Sequence, residues 1–206
     1  MCYNKEVSIT TYIIGIIGCI NLYFNLNLKI EAIFLAFAIH IQLIEYFIWD
    51  NISCNETNII TSKIGTIINH MEPIILWIAI LFLSTKSLPQ WVNIYMILFI
   101  IISIVYTLDV YPNECTKVTE ESSPHLQWKW NEYNNNGANY YIIFLLTLNI
   151  LMITGLEHGY HLAIITTLSF IISFKIYEKN KSVGTMWCFI GAFIPYIIPF
   201  VYQIKI

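Results

Sequence analysis

The chain has 206 residues, 57% of them hydrophobic and only 11% charged, with ten lysines, no arginine and a net charge of −3. Soluble globular domains carry about 25% charged residues, so the polar surface is too small for a water-soluble fold, and the mean hydropathy of +0.65 agrees. An ordinary cytosolic enzyme, a disordered chain and a nucleic-acid binder are excluded; the expected partner is a lipid bilayer, met without arginine-based phosphate recognition.

A transmembrane helix takes about 20 mostly apolar residues, and seven such runs follow in order. The first covers 8–24 and ends in the polar stretch 25–29; the second covers 30–49 and stops at Asp50. The third, 62–83, ends before Thr85-Lys86-Ser87-Leu88-Pro89, and the fourth, 91–108, is closed by Asp109 and Pro112. A long polar loop at 109–138 includes Asn134-Asn135-Asn136-Gly137. Runs at 139–154, 162–177 and 185–202 complete the set. The runs are continuously apolar, without the alternation of a membrane barrel. The expected fold is an all-α integral membrane protein, a single domain over 1–206 built as a bundle of seven transmembrane helices. The fifth and sixth runs are short, so merging or re-entry is expected there first. The first run has only Lys5 beside Glu6 ahead of it and no small-x-small cleavage site, which reads as a retained span.

Seven spans put the two ends of the chain on opposite sides. The N-terminal side, face A, then collects the loop near Cys54, the long loop and the turn at 178–184. It holds Lys5, Lys63, Lys117, Lys129, Lys175, Lys179 and Lys181, against Lys29, Lys86 and Lys205 on face B. The positive-inside rule therefore predicts a cytoplasmic N-terminus. Two features point the other way. Asn51-Ile52-Ser53 and Asn55-Glu56-Thr57 fit the glycan acceptor pattern, and Cys54 and Cys115 are placed to bridge if face A is oxidising.

Ionisable and polar groups inside spans are costly and usually face a bundle interior or a cavity. Gln42, Glu45 and Trp49 share one face of the second run, and Asn69 and Glu72 share a stripe of the third, directly before Pro73. Pro73 frees the carbonyl of Asn69 and is expected to kink the helix. Trp187 and Cys188 open the seventh run, where Cys188, Gly191, Pro195 and Pro199 form a small-residue stripe suited to close helix contact. The long loop adds Cys115, His125, Trp128 and Trp130 on the same side. Gln42, Glu45, Trp49, Asn69, Glu72, His125, Trp187 and Cys188 are therefore the candidate pocket residues. Each has a plain alternative: neutral structural glue for the carboxyls, interface anchoring for the tryptophans, ordinary bundle packing for His40 and His70. Glu157, His158 and His161 on face B are weak metal-ligand candidates, with a solvated turn as the alternative. The five cysteines contain no Cys-x-x-Cys pair; free thiols are the default, and a face A Cys/His site including Cys2 is the alternative.

Several short motifs resemble a multi-pass membrane family of giant viruses of protists and of bacteria. They are the Met1-Cys2 start with Ser8, Gln42-Leu43-Ile44-Glu45 with Trp49, His125-Leu126-Gln127-Trp128, and Gly184-Thr185-Met186-Trp187-Cys188. Asn4 stands where that family's Met-Cys-x-Ser opening has Ser, and Glu72 where it more often has Gln. The resemblance implies a shared polytopic fold and a viral or host-cell membrane, and it supplies no activity.

A retinal Schiff base needs a lysine near the middle of the last span, and there is none, so retinal is disfavoured as a cofactor. Three functions are expected in descending order. The first is a binding or transport module with a polar intramembrane pocket for an ion or small molecule. The second is a structural or assembly protein of a viral or organelle membrane. The third is a membrane-embedded enzyme acting on a lipid or thiol through Glu45, His125 and Cys188.

Overall fold

The computed structural model describes residues 4–111, 115–118, 124–128, 135–179 and 181–203. Among them the chain forms α1 (Lys5–Phe24), α2 (Lys29–Trp49), α3 (Glu56–Leu83), α4 (Gln90–Val110), α5 (Asn135–Gly155), α6 (Gly159–Tyr177), α7 (Val183–Gly191) and α8 (Ile194–Val201). A short antiparallel ribbon, β1 (Lys117–Val118) with β2 (Leu126–Gln127), lies in the long loop and pairs Lys117 with Gln127 and Val118 with Leu126.

Local chemistry sets the helix ends. The Asn4 side chain accepts from the Val7 amide, and Asn55 accepts from the Asn58 amide, each satisfying one of the orphan donors of a first turn. Asn27 and Cys54 adopt positive φ, at 55° and 59°, in the turns before α2 and α3. The α3 helix runs through Pro73 as one element and starts six residues before the apolar run, because its first turns are polar.

Five helices are long and apolar enough to cross a membrane: α1, α2, α3, α4 and α6. The count reaches six if α7 and α8, bent by 55° at a short break, form one span. Within α5 the apolar segment is Asn139–Gly155, shorter than the others. The first six apolar runs each lie within a single helix. The interruption falls in the seventh, at Ala192–Phe193, and not in the fifth or sixth where shortness pointed. Pro195 in the first turn of α8 accounts for it, since proline suits a new helix start and cannot continue an old one.

The surface is inside-out relative to a protein in water. On α4, Ile94, Ile97, Leu98, Ile101, Val105 and Leu108 are exposed, while Ser103 and Tyr106 are buried. Gln42, Glu45, Asn69, His70, Glu72 and Thr166 are also buried. Such an arrangement is compatible with an integral membrane protein, where lipid solvates the apolar face and polar groups must find partners within the chain.

Close approach then relies on small residues. A Cβ on Gly15 would come within 2.9 Å of Ile39 on α2, and one on Gly18 within 2.8 Å of Pro195 on α8. The helices pack in sequence, α1 on α2, α2 on α3, α5 on α6 and α6 on α7, with α8 returning to α1. The expected small-residue stripe is only partly a contact face. Pro195 does meet Gly18, whereas a Cβ on Gly191 would have nothing within 4 Å.

The connections gather at two ends. At face A, Lys5 pairs with Asp50 at 2.8 Å, Cys54 is disulfide-bonded to Cys115, and the Thr185 hydroxyl donates to the Leu126 carbonyl at 3.1 Å. At face B, the Ser84 hydroxyl donates to the Gly155 carbonyl at 3.0 Å, and the Tyr202 hydroxyl donates to Glu31 at 3.3 Å.

Candidate functional site

The third run supplies the centre of the site. Asn69 and Glu72 are three residues apart on α3, so both project from one helix face, and the Asn69 amide donates to Glu72 Oε1 at 3.2 Å. The Asn69 carbonyl oxygen accepts from the Tyr141 hydroxyl of α5 at 2.8 Å. That hydroxyl also lies 3.5 Å from His70 Nε2. On its other side, His70 Nδ1 is 2.7 Å from the Thr107 hydroxyl of α4.

The tautomer of His70 follows from this chain. The single proton of the Thr107 hydroxyl is donated to the Ser103 carbonyl at 2.6 Å, so Thr107 can only accept from His70. Nδ1 therefore carries a hydrogen, and in the neutral ring Nε2 is the acceptor facing Tyr141. The Tyr141 proton thus has two acceptors within reach, Asn69 and His70. Ser103 continues the network to the Tyr140 hydroxyl at 2.9 Å, and Tyr140 stacks on Tyr106 with ring centroids 4.0 Å apart. Carboxyl, amide, phenol, imidazole and hydroxyl form one buried path across α3, α5 and α4.

Glu72 also faces a cavity of about 40 Å³ lined by Phe34, Leu35, Thr166, Trp187, Cys188 and Gly191, among others. A water needs about 10–15 Å³ measured in this way, so there is room for water or one small cation. Gly191 lines this space, and a Cβ on it would have nothing within 4 Å. The Trp187 indole N–H donates to Ser169 at 2.9 Å.

The candidate residues divide into two groups. Asn69, Glu72, Trp187 and Cys188 belong to the cavity and network. Trp49 packs on a cap nearer face A, while Gln42, Glu45 and His125 do not line that cavity. Glu45 shares its helix face with Ile41 and Ile48, which pack with Leu126 and Trp128 of the long loop. Gln42 and Glu45 are fully buried. Trp49 is half-buried, and its indole nitrogen has no hydrogen-bond partner among the described residues. His125 is buried beside β2 with its ring edge-on to Tyr177, at 5.4 Å; burial pushes its imidazole down to about 4. Cys188 connects the groups, since it packs on the capping cluster and lines the cavity.

Among the described residues no group of three His, Cys, Asp or Glu side chains is placed to hold a metal ion. Glu157, His158 and His161 are not brought together as such a group. The two imidazoles pack against Tyr202 instead, at 4.5 and 5.8 Å. The disulfide also removes Cys54 and Cys115 from any thiolate site. Cys2 and Trp130 lie outside the described residues.

Tyr141, Thr107 and Ser103 were not among the sequence candidates, and His70 was weighed there mainly as a bundle-packing residue. The only local signal was that each is a polar group inside or at the edge of an apolar run, and no spacing rule links residues on three different helices. No protein-family model, curated protein or solved structure matches this chain.

Proposed function

We propose that the chain is a seven-span integral membrane protein that binds and passes a proton or small cation through its polar core. Seven spans follow if α5 crosses with α1–α4 and α6, and the bent α7–α8 pair crosses as one. The observation that carries the reading is the path Glu72–Asn69–Tyr141–His70–Thr107. It joins a carboxyl beside a water-sized cavity to an imidazole, through one hydroxyl that lies within reach of two acceptors. Buried chains of this kind mark ion and proton pathways in membranes. The motifs shared with the giant-virus and bacterial family support a viral or host-cell membrane as its location.

The test is proton or monovalent-cation flux into sealed liposomes carrying the purified protein. Glu72→Gln keeps an acceptor for Asn69 and removes the ionisable carboxyl, so flux falls at least tenfold while the folded yield is unchanged. Glu45→Gln reports whether that carboxyl is part of the same path. Flux that is absent from the wild type, or equal in Glu72→Gln, moves the reading to a structural or assembly protein.

A further inference from the structure

Two independent features of face A are not used by the ion path. The loop between α2 and α3 is tied to the long loop by the Cys54–Cys115 disulfide, across 61 residues of sequence. The residue after Cys54 opens the acceptor pattern Asn55-Glu56-Thr57, and Asn55 and Thr57 are both exposed. We infer that face A is the non-cytoplasmic side of the membrane and that Asn55 is an N-glycan acceptor there.

The first support is redox. A disulfide persists in secretory and extracellular compartments and is removed in a reducing cytosol. Its formation passes two electrons and two protons from the thiols of Cys54 and Cys115 to a disulfide-bearing oxidoreductase of that compartment, which is reduced to a dithiol. The lysine count argues for the opposite side, but it measures a statistical bias, and it includes Lys5, whose charge is paired with Asp50 at 2.8 Å. A covalent bond is the stronger constraint.

The second support is the geometry at Asn55. Its Nδ2 donates to the Asn51 side chain at 2.8 Å, and its Oδ1 caps α3 by accepting from the Asn58 amide at 3.0 Å. Transfer of a sugar from a polyprenyl-pyrophosphate donor forms a bond from Asn55 Nδ2 to the anomeric carbon. It breaks the bond from that carbon to phosphate and releases one amide proton. The modified amide retains its oxygen, so the α3 cap survives, and one N–H remains on Nδ2. By contrast Asn51 is half-buried, with its amide on the Phe47 carbonyl at 2.9 Å.

The third support is reach. The 28 residues of α3 span about 42 Å at 1.5 Å each, against about 30 Å of hydrocarbon. With Leu83 at the face B edge, the polar turns that follow Asn55 stand outside the hydrocarbon at face A.

The full chain, expressed in eukaryotic cells, tests both halves of the inference. Peptide N-glycosidase is expected to increase the gel mobility of the wild type and of Thr57→Ser, and to leave Thr57→Ala and Asn55→Gln unchanged. Thr57→Ala keeps the Asn55 cap and the backbone carbonyl that Thr61 uses, so loss of the glycan there is not loss of folding. A polyethylene-glycol maleimide applied to denatured, thiol-quenched membranes is expected to add two more labels after reduction, and none in a Cys54→Ser/Cys115→Ser chain. A wild type without the Thr57-dependent shift, or without the two reduction-dependent labels, overturns the inference. Neither readout depends on ion flux, so this inference and the proposed function fail separately.

Discussion

At face A the chain closes over itself: a disulfide, a strand pair and a buried cap of Leu126 and Trp128 cover the ends of α2 and α3. At face B only short turns join the helices. They leave an open pocket of about 650 Å³, lined by Lys29, Glu31, Ser84, Thr85, Lys86 and Glu157 among others. At face A some buried polar groups are satisfied within the protein: the Asn58 amide donates to the carbonyls of Asn51 and Thr116, at 3.0 and 3.1 Å. Those of the face B pocket are mostly left to solvent. Covalent closure therefore sits where the long loop is, while the other end relies on the Ser84–Gly155 and Glu31–Tyr202 hydrogen bonds and on tight backbone packing.

The largest expected effect sharpens that contrast. A Cβ on Gly159 would lie 1.7 Å from the Met152 carbonyl oxygen, inside the α5–α6 turn of face B. Gly159→Ala should destabilise the protein by about 3 kcal/mol, the upper range for overpacking, as a lower thermal midpoint in detergent. Gly191→Ala, which meets open space, should leave that midpoint unchanged. Equal midpoints for the two variants would break the claim that turn geometry holds face B.

Between the two ends, Tyr141→Phe removes the hydroxyl bound to Asn69 and leaves a buried carbonyl oxygen without that donor. The expected cost is about 1–3 kcal/mol, read by the same melt, together with reduced flux.

A smaller effect belongs to face A. His125 is held at about 4, below its ordinary 6.5, so between those values the unfolded chain binds more protons than the folded one. Stability is then full above about pH 6.5 and declines as pH falls toward 4. His125→Gln should flatten the pH dependence of the melt in that window; an unchanged slope would place the acid sensitivity elsewhere. The smallest effect is expected at the exposed Lys5–Asp50 pair. Lys5→Ala should leave the midpoint unchanged at physiological salt, because exposed pairs are screened.

The helical class and six uninterrupted runs were legible in the sequence because hydropathy is a local property, summed over about 20 neighbouring residues. Helix ends were less legible: α3 and α5 extend beyond their apolar runs into polar turns that hydropathy does not mark. The break in the seventh run was signalled by Pro195 more than by length. Within the site, the Asn69–Glu72 pair was readable, since both residues lie within one turn of one helix.

The tertiary structure alone brought Tyr141 to Asn69, 72 residues away, and Cys115 to Cys54, 61 residues away. It also placed Gly191 in the wall of a cavity, with no contact where one was expected. The physical reason is the same in each case. A span's apolarity commits it to a helix and is nearly indifferent to its neighbours, since lipid solvates leucine as well as another leucine does. Which helices meet is chosen by small residues that permit close approach and by buried polar groups that must find partners, and those partners lie on other helices.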